Sequence, residues 1–279
     1  MTKKNCLFAT VGLLITFILF TLTVKFVGVK AIGPDGSSVG LADVNEAIHK
    51  VFGLNATLHS ITDWAQAVFA IMGGAYASLG VYQLIKTKSV KKVDGSLIAL
   101  GIFYVTLLLV YLFFEVVVVN YRPEMIKNKL AASYPSSTTM LSICFSISSI
   151  DMVIRYVENK KLKYALNTAT GVFCAFMVIG RFLSGVHWFT DIMGAIVLSG
   201  ALLAFYCLLQ IMFEKWTIIE EIKFDKDSNV INTRTEQVPE TATENKETDA
   251  TQSKTSEDVA HCELSVSTDA VENGENIGR

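Results

Sequence analysis

Long apolar runs constrain this chain more than any other feature. Apolar stretches of roughly 20 residues, the length a helix needs to cross a hydrocarbon layer, recur six times. They lie at about 6–29, 64–85, 96–120, 136–157, 165–179 and 188–213. A segment in lipid must satisfy its own backbone hydrogen bonds, which leaves only helices or a closed barrel. Barrel strands are about half this length. The expected fold is therefore all-α: a polytopic membrane protein with six transmembrane helices in a bundle.

The loops supply orientation. Lys86, Lys88, Lys91 and Lys92 separate the second and third runs, and Arg155, Lys160, Lys161 and Lys163 separate the fourth and fifth. Basic loops stay cytoplasmic, so both termini are expected inside, in a multi-pass protein of the cell membrane. Residues 1–29 read as a retained first transmembrane helix, since the run is too long for a signal-peptide core and no small-residue cleavage site follows. Residues 30–63 form an outer loop. Within it Leu41, Val44, Ile48, Val51 and Phe52 recur at helical spacing and predict an amphipathic surface helix. Asn55-Ala56-Thr57 is a weak match to a glycosylation acceptor, and His49 and His59 read as solvated or interfacial. Residues 64–213 make up the rest of the membrane core. Residues 214–279 form an acidic cytoplasmic tail, rich in Glu, Asp, Thr, Ser and Asn, whose composition predicts disorder.

Of the five cysteines, Cys6, Cys144, Cys174 and Cys207 lie in apolar runs and Cys262 in the tail. They read as small buried hydrophobes, and the odd count argues against a disulfide framework. His and Asp residues are too few and too scattered for a metal-ligand set, so neither metal nor cofactor is expected. Nothing calls for nucleic acid. Oligomeric state is not readable.

Chemistry concentrates in Gly180 to Gly194, GRFLSGVHWFTDIMG. His187 and Asp191 are four apart, which on a helix places them on one face. A carboxylate there can hold one imidazole nitrogen and leave the other as a lone-pair nucleophile. Arg181, just before, can clamp an anion. By the predicted topology Arg122, Ser136, Ser137, Arg181, His187 and Asp191 all fall at the outer ends of their helices, three separate segments meeting at one face. Pro135 breaks the chain, and Ser136 or Ser137 is placed to cap the fourth span, whose free N–H groups suit an anion. Near the inner end of that span Asp151 and Arg155, four apart, are expected to pair.

These residues resemble the signature of the type-2 phosphatidic acid phosphatase superfamily, membrane lipid phosphatases related to the vanadium haloperoxidases. The pattern has three parts: K-x6-R-P, then P-S-G-H, then S-R-x5-H-x3-D. Arg122-Pro123, Pro135-Ser136-Ser137-Thr138, and Arg181 through His187 to Asp191 follow it in order. The resemblance implies that His187 attacks phosphorus and forms a phosphohistidine, that Asp191 orients it, and that Arg122, Ser136, Ser137, Thr138 and Arg181 hold the phosphate. The lipid is expected to be a lipid phosphate or a polyprenyl diphosphate, met at the extracytoplasmic face.

Two departures from the pattern matter, while Ser137 in place of glycine is a milder change because its backbone N–H remains. Thr138 stands where the family has its general-acid histidine, and a hydroxyl is a weak proton donor near neutral pH. Glu115 stands where the family has a lysine, two helical turns before Arg122, and its charge repels phosphate unless it pairs with an arginine or stays protonated. Two function classes follow. One is a phosphatase, best suited to a good leaving group. The other is a catalytically impaired member that binds a lipid phosphate or a partner protein.

Overall fold

The computed structural model describes residues 2–125 and 129–227, with side chains as far as 214. The bulk of the tail, 228–279, and with it the expected disorder there, lies outside the described residues.

Eight helices carry the described chain: α1 (Lys3–Phe26), α2 (Ala42–Phe52), α3 (Ala56–Ala65), α4 (Ala67–Thr87), α5 (Gly95–Val116), α6 (Ser137–Tyr156), α7 (Lys160–Leu183) and α8 (Phe189–Asp227). Among the described residues six helical segments are long and apolar enough to cross a membrane: α1, α3 running into α4, α5, α6, α7 and the Phe189–Glu214 part of α8. The protein is an all-α, multi-pass membrane protein. The outward faces are apolar, with Leu19, Val105, Leu109, Val172 and Ile179 all exposed, as a lipid solvent permits.

α8 is the centre of the bundle and packs against α1, α5 and α6, while α7 lies on α6 and α3. Its inward residues Ala195, Leu198, Leu202, Tyr206 and Leu209 share a core with Leu97, Leu100, Phe103 and Leu107 of α5 and with Met140, Cys144 and Met152 of α6. Small residues recur on α6, where Ser142, Ser146, Ser148 and Ser149 are all buried. Small side chains at a helix interface let backbones approach closely, and their hydroxyls can bond within the helix or across it. Ser142 Oγ donates to the Thr138 carbonyl, and Ser149 bonds Tyr76 of α4.

Three sequence expectations change here. Cys6 of α1 and Cys207 of α8 are bonded to each other, joining the chain's first helix to its last, where the sequence reading had unlinked apolar cysteines. Asn55 acts as an N-cap: its Oδ1 accepts from the Leu58 N–H at 2.9 Å and opens α3. This helix was not anticipated, because its polar face interrupts the apolar run that follows. The amphipathic helix expected in this loop is present as α2, with Val44, Val51 and Phe52 exposed. α8 also continues as helix past Glu214 to Asp227.

Candidate active site

The end of the bundle where α6 and α8 begin and α7 finishes gathers the polar residues singled out by the sequence. Arg181 lies in the last turn of α7. The chain then turns through Ser184 and Gly185 before α8 starts at Phe189. Ser184 Oγ caps the Arg181 carbonyl at 2.7 Å, and its own carbonyl accepts from the Asn55 N–H at 2.9 Å. Gly185 has φ +67°, and a Cβ there would collide with the Gly53 carbonyl. Only glycine fits both demands, so the turn carrying His187 is pinned beneath the start of α3.

Asp191, in the first turn of α8, is fully buried and bonded on every side. Its Oδ2 accepts from the Trp188 N–H at 2.9 Å, a reach back across the helix N-terminus that also suits a negative charge. Ser133 Oγ donates to Oδ2 as well, and Asn120 Nδ2 approaches Oδ1 at 3.5 Å. The Asp191 carbonyl accepts from the Ser136 N–H at 3.1 Å, which joins the starts of α6 and α8. On the far side of the same turn, Asn45 of α2 donates to Thr190 Oγ1 and accepts from the Thr190 N–H.

His187 sits before α8, not within it, and its side chain is 1% exposed. Its Nδ1 is 3.8 Å from Asp191 Oδ2, too far for the direct hydrogen bond expected from the spacing. The atoms beside Nδ1 belong to Ser133: the carbonyl at 3.1 Å and Oγ at 3.0 Å. A carbonyl only accepts, so Nδ1 carries the proton. Nε2 is then the lone-pair nitrogen, and it is buried with no hydrogen-bond partner in the protein. Burial, reinforced by the charges of Arg122 and Arg181, drives the imidazole pKa well below the ordinary histidine value. His187 is neutral.

Arg181 is 1% exposed and its Nη1 is held by α3: His59 Nδ1 at 2.9 Å, Thr62 Oγ1 at 3.2 Å and Asp63 Oδ1 at 3.3 Å. Its Nε is buried without a partner. Arg122 donates from Nε to the Ala132 carbonyl at 3.2 Å. Burial lowers its pKa, opposed by the carboxylates of Asp63, Glu115 and Asp191. Glu115 is thus one of three carboxylates whose charge acts on Arg122.

The structure thus brings Arg122, Arg181, His187 and Asp191 into one electrostatic cluster. The serine segment joins it less fully. Ser136 N-caps α6, with its Oγ bonded to Thr139 Oγ1 at 3.0 Å, so its hydroxyl is already engaged. Ser137 is half-buried and lines a cleft with Ser133, Tyr111 and Glu115. Thr138 is buried, and its carbonyl accepts from Ser142. His187 lines a different, apolar cleft with Ile48, His49, Phe52, Phe182 and Phe189. Sequence reasoning missed Ser133, His59, Thr62 and Asp63. The last three stand at i, i+3 and i+4, a polar helical face readable once Asn55 is taken as a cap. Ser133 carried no such signal. Among the described residues no group of three His, Cys, Asp or Glu is placed to hold a metal ion.

No protein-family model and no curated protein matches the chain. Among solved structures it is similar to a transmembrane PAP2-type phosphatidylglycerolphosphate phosphatase from Bacillus subtilis. The identity is 20% and the TM-score 0.48, with 75% of this chain and 97% of that chain covered. Residue roles rest on the geometry above.

Proposed function

We propose that this protein is an integral membrane phosphatase that hydrolyses a lipid phosphate or a polyprenyl diphosphate at the extracytoplasmic face, through a phosphohistidine. One observation carries the reading. The His187 Nδ1–H is tied to the Ser133 carbonyl, and its Nε2 is buried without a partner in a ring on which the charges of Arg122 and Arg181 act. A desolvated nucleophile with cations around it is what transfer of a phosphoryl group asks of a protein.

In the proposed reaction Arg122 and Arg181 hold the phosphoryl oxygens, with the Ser137 N–H and the Thr138 hydroxyl at the edge of the cradle. Ser136 holds the start of α6 in place through its cap. The Nε2 lone pair forms the N–P bond, the P–O bond to the leaving group breaks, and its electron pair departs on that oxygen. Asp191 offsets the positive charge that develops on the imidazole. Water then cleaves the N–P bond and releases phosphate. Thr138 cannot protonate an alkoxide efficiently, so a diphosphate, whose leaving group is already a stable anion, is favoured over a simple monoester. The cytoplasmic placement of both termini belongs to this reading and rests on the basic loops.

A second reading has a specific observation behind it. Asp63 and His59 already occupy Nη1 of Arg181, as in a protein that binds lipid phosphates or a partner without turnover. Protein purified in detergent decides between them. Assayed with phosphatidate, phosphatidylglycerol phosphate and a polyprenyl diphosphate, it should release phosphate from at least one. His187→Ala should fall to background. Release no greater than that of the variant from every lipid would leave the binding reading standing.

A further inference from the structure

We propose that Ser133 is a positioning residue whose hydroxyl couples Asp191 to His187. The inference rests on the phosphohistidine reading above and deepens it. Asp191 and His187 are close in sequence and share one buried cluster, yet their nearest polar atoms stand 3.8 Å apart. A carboxylate at that distance exerts charge but does not orient a ring, because a hydrogen bond fades beyond about 3.5 Å. The gap is filled by a residue from a distant segment.

Ser133 meets the imidazole twice and the carboxylate once. Its carbonyl lies 3.1 Å and its Oγ 3.0 Å from His187 Nδ1, and its Oγ–H donates to Asp191 Oδ2. The donor count closes in one way only. Serine has a single hydroxyl proton, and it is donated to Asp191 Oδ2. The hydroxyl lone pairs are then left to face the Nδ1–H, which they share with the carbonyl. Both Ser133 and His187 are buried, so water does not compete for these bonds.

Ser133 is itself held from behind. Its N–H donates to the Asn120 carbonyl at 3.0 Å, and Asn120 also reaches Asp191 through its side chain. The residue sits in a short paired stretch in which Tyr121 faces Ala132. The segment carrying Arg122 therefore also delivers the hydroxyl that sets the nucleophile. When Nε2 bonds to phosphorus, positive charge spreads to Nδ1–H. The Ser133 hydroxyl, polarised by Asp191, strengthens its acceptance at that moment. The contribution grows toward the transition state, so it falls on kcat rather than on KM.

The test is a set of three variants assayed for phosphate release and followed by nitrogen NMR on histidine-labelled protein in detergent. Ser133→Ala should lower kcat roughly ten- to a hundredfold, the size of one hydrogen bond to a charged group, with KM within about twofold. Ser133→Thr, which keeps the hydroxyl, should restore most of it. Asp191→Asn should move the His187 Nδ1 resonance in the wild-type background and move it little once Ser133 is Ala, because the path between them is then cut. Wild-type kcat in Ser133→Ala, or an equal Asp191→Asn shift in both backgrounds, would overturn the proposal. Thermal unfolding of each variant separates misfolding from loss of the bridge. The two readings fail differently. Turnover surviving in His187→Ala sinks the phosphohistidine itself, whereas its loss there combined with full turnover in Ser133→Ala sinks only the bridge. If no lipid is turned over, the NMR arm still decides whether Ser133 links the two side chains.

Discussion

The two ends of the bundle solve the same problem in opposite ways. At the Arg155 end, polar side chains from α5, α6 and α8 are paired off against one another. Arg155 Nε bonds Asp151 at 3.1 Å, and Tyr206 donates to the same carboxylate at 2.8 Å. Tyr156 donates to Asp94 at 2.6 Å, while Asp94 caps α5 and its N–H is taken by Gln83. At the His187 end a comparable number of groups leaves a nucleophilic nitrogen and a guanidinium nitrogen buried without partners. The Arg155 half also holds unpaired buried atoms, Gln210 Oε1 and Asn167 Oδ1, but these are neutral amide oxygens. Leaving buried polar groups unpaired costs about 1–3 kcal/mol each, more when charged. On the proposed reading the His187 end is the one that awaits a ligand: a phosphate, rich in acceptor oxygens, would complete the guanidinium and present its phosphorus to the imidazole.

The largest expected contrast is between two arginine deletions. Arg181→Ala should cut kcat/KM by roughly 100- to 1,000-fold, as removing one preorganised charge-stabilising group does elsewhere. Arg155→Ala should leave turnover within about twofold and lower the unfolding temperature in detergent, since it strips a partner from Asp151. Equal losses of turnover would mean that the two ends are not functionally distinct.

The next contrast is in pH dependence. A neutral nucleophile is lost on protonation, so activity should fall with acid. Because burial and the two guanidinium charges depress the His187 pKa, the acid limb should lie below the ordinary histidine value of about 6.5. Removing a positive neighbour favours the imidazolium, so Arg122→Gln should move that limb toward higher pH. A limb that stays put would place Arg122 too far away to act on His187. No matching limb is expected from the Arg155 end.

Much of this contrast could be read before any coordinates. The six spans follow from run length alone, because lipid enforces internal hydrogen bonding and little else sets the boundaries. Ser136 as a cap and the Asp151–Arg155 pair follow from local chemistry at fixed spacing, which a sequence displays directly. The bridging role of Ser133 could not be read. It depends on where a 20-residue connection between α5 and α6 comes to rest, and no local rule states that. The separation of Asp191 from His187 was hidden for a related reason. The i, i+4 argument assumes one continuous helix, but α8 starts at Phe189, so His187 lies on a turn whose direction is set by Gly185 and by α3. α3 is obscured in the same way, because its polar face interrupts the apolar run and only the Asn55 cap marks its start.

The smallest effect concerns the one contact at the His187 end that works against anion binding. Asp63 is 54% exposed and sits 3.3 Å from Arg181, so its charge competes with any phosphate for the same guanidinium. An ion pair that exposed contributes little to stability, typically no more than about 1 kcal/mol. Asp63→Asn keeps the shape and a hydrogen-bonding oxygen but removes the charge. Folding should therefore change little. Lipid phosphate, no longer displacing a carboxylate, should bind more tightly, with KM lowered about two- to fivefold and the effect shrinking as salt is raised. A higher KM would assign Asp63 the opposite role, that of holding Arg181 in its working orientation. The α3 helix would then be a support for the site and not a competitor within it.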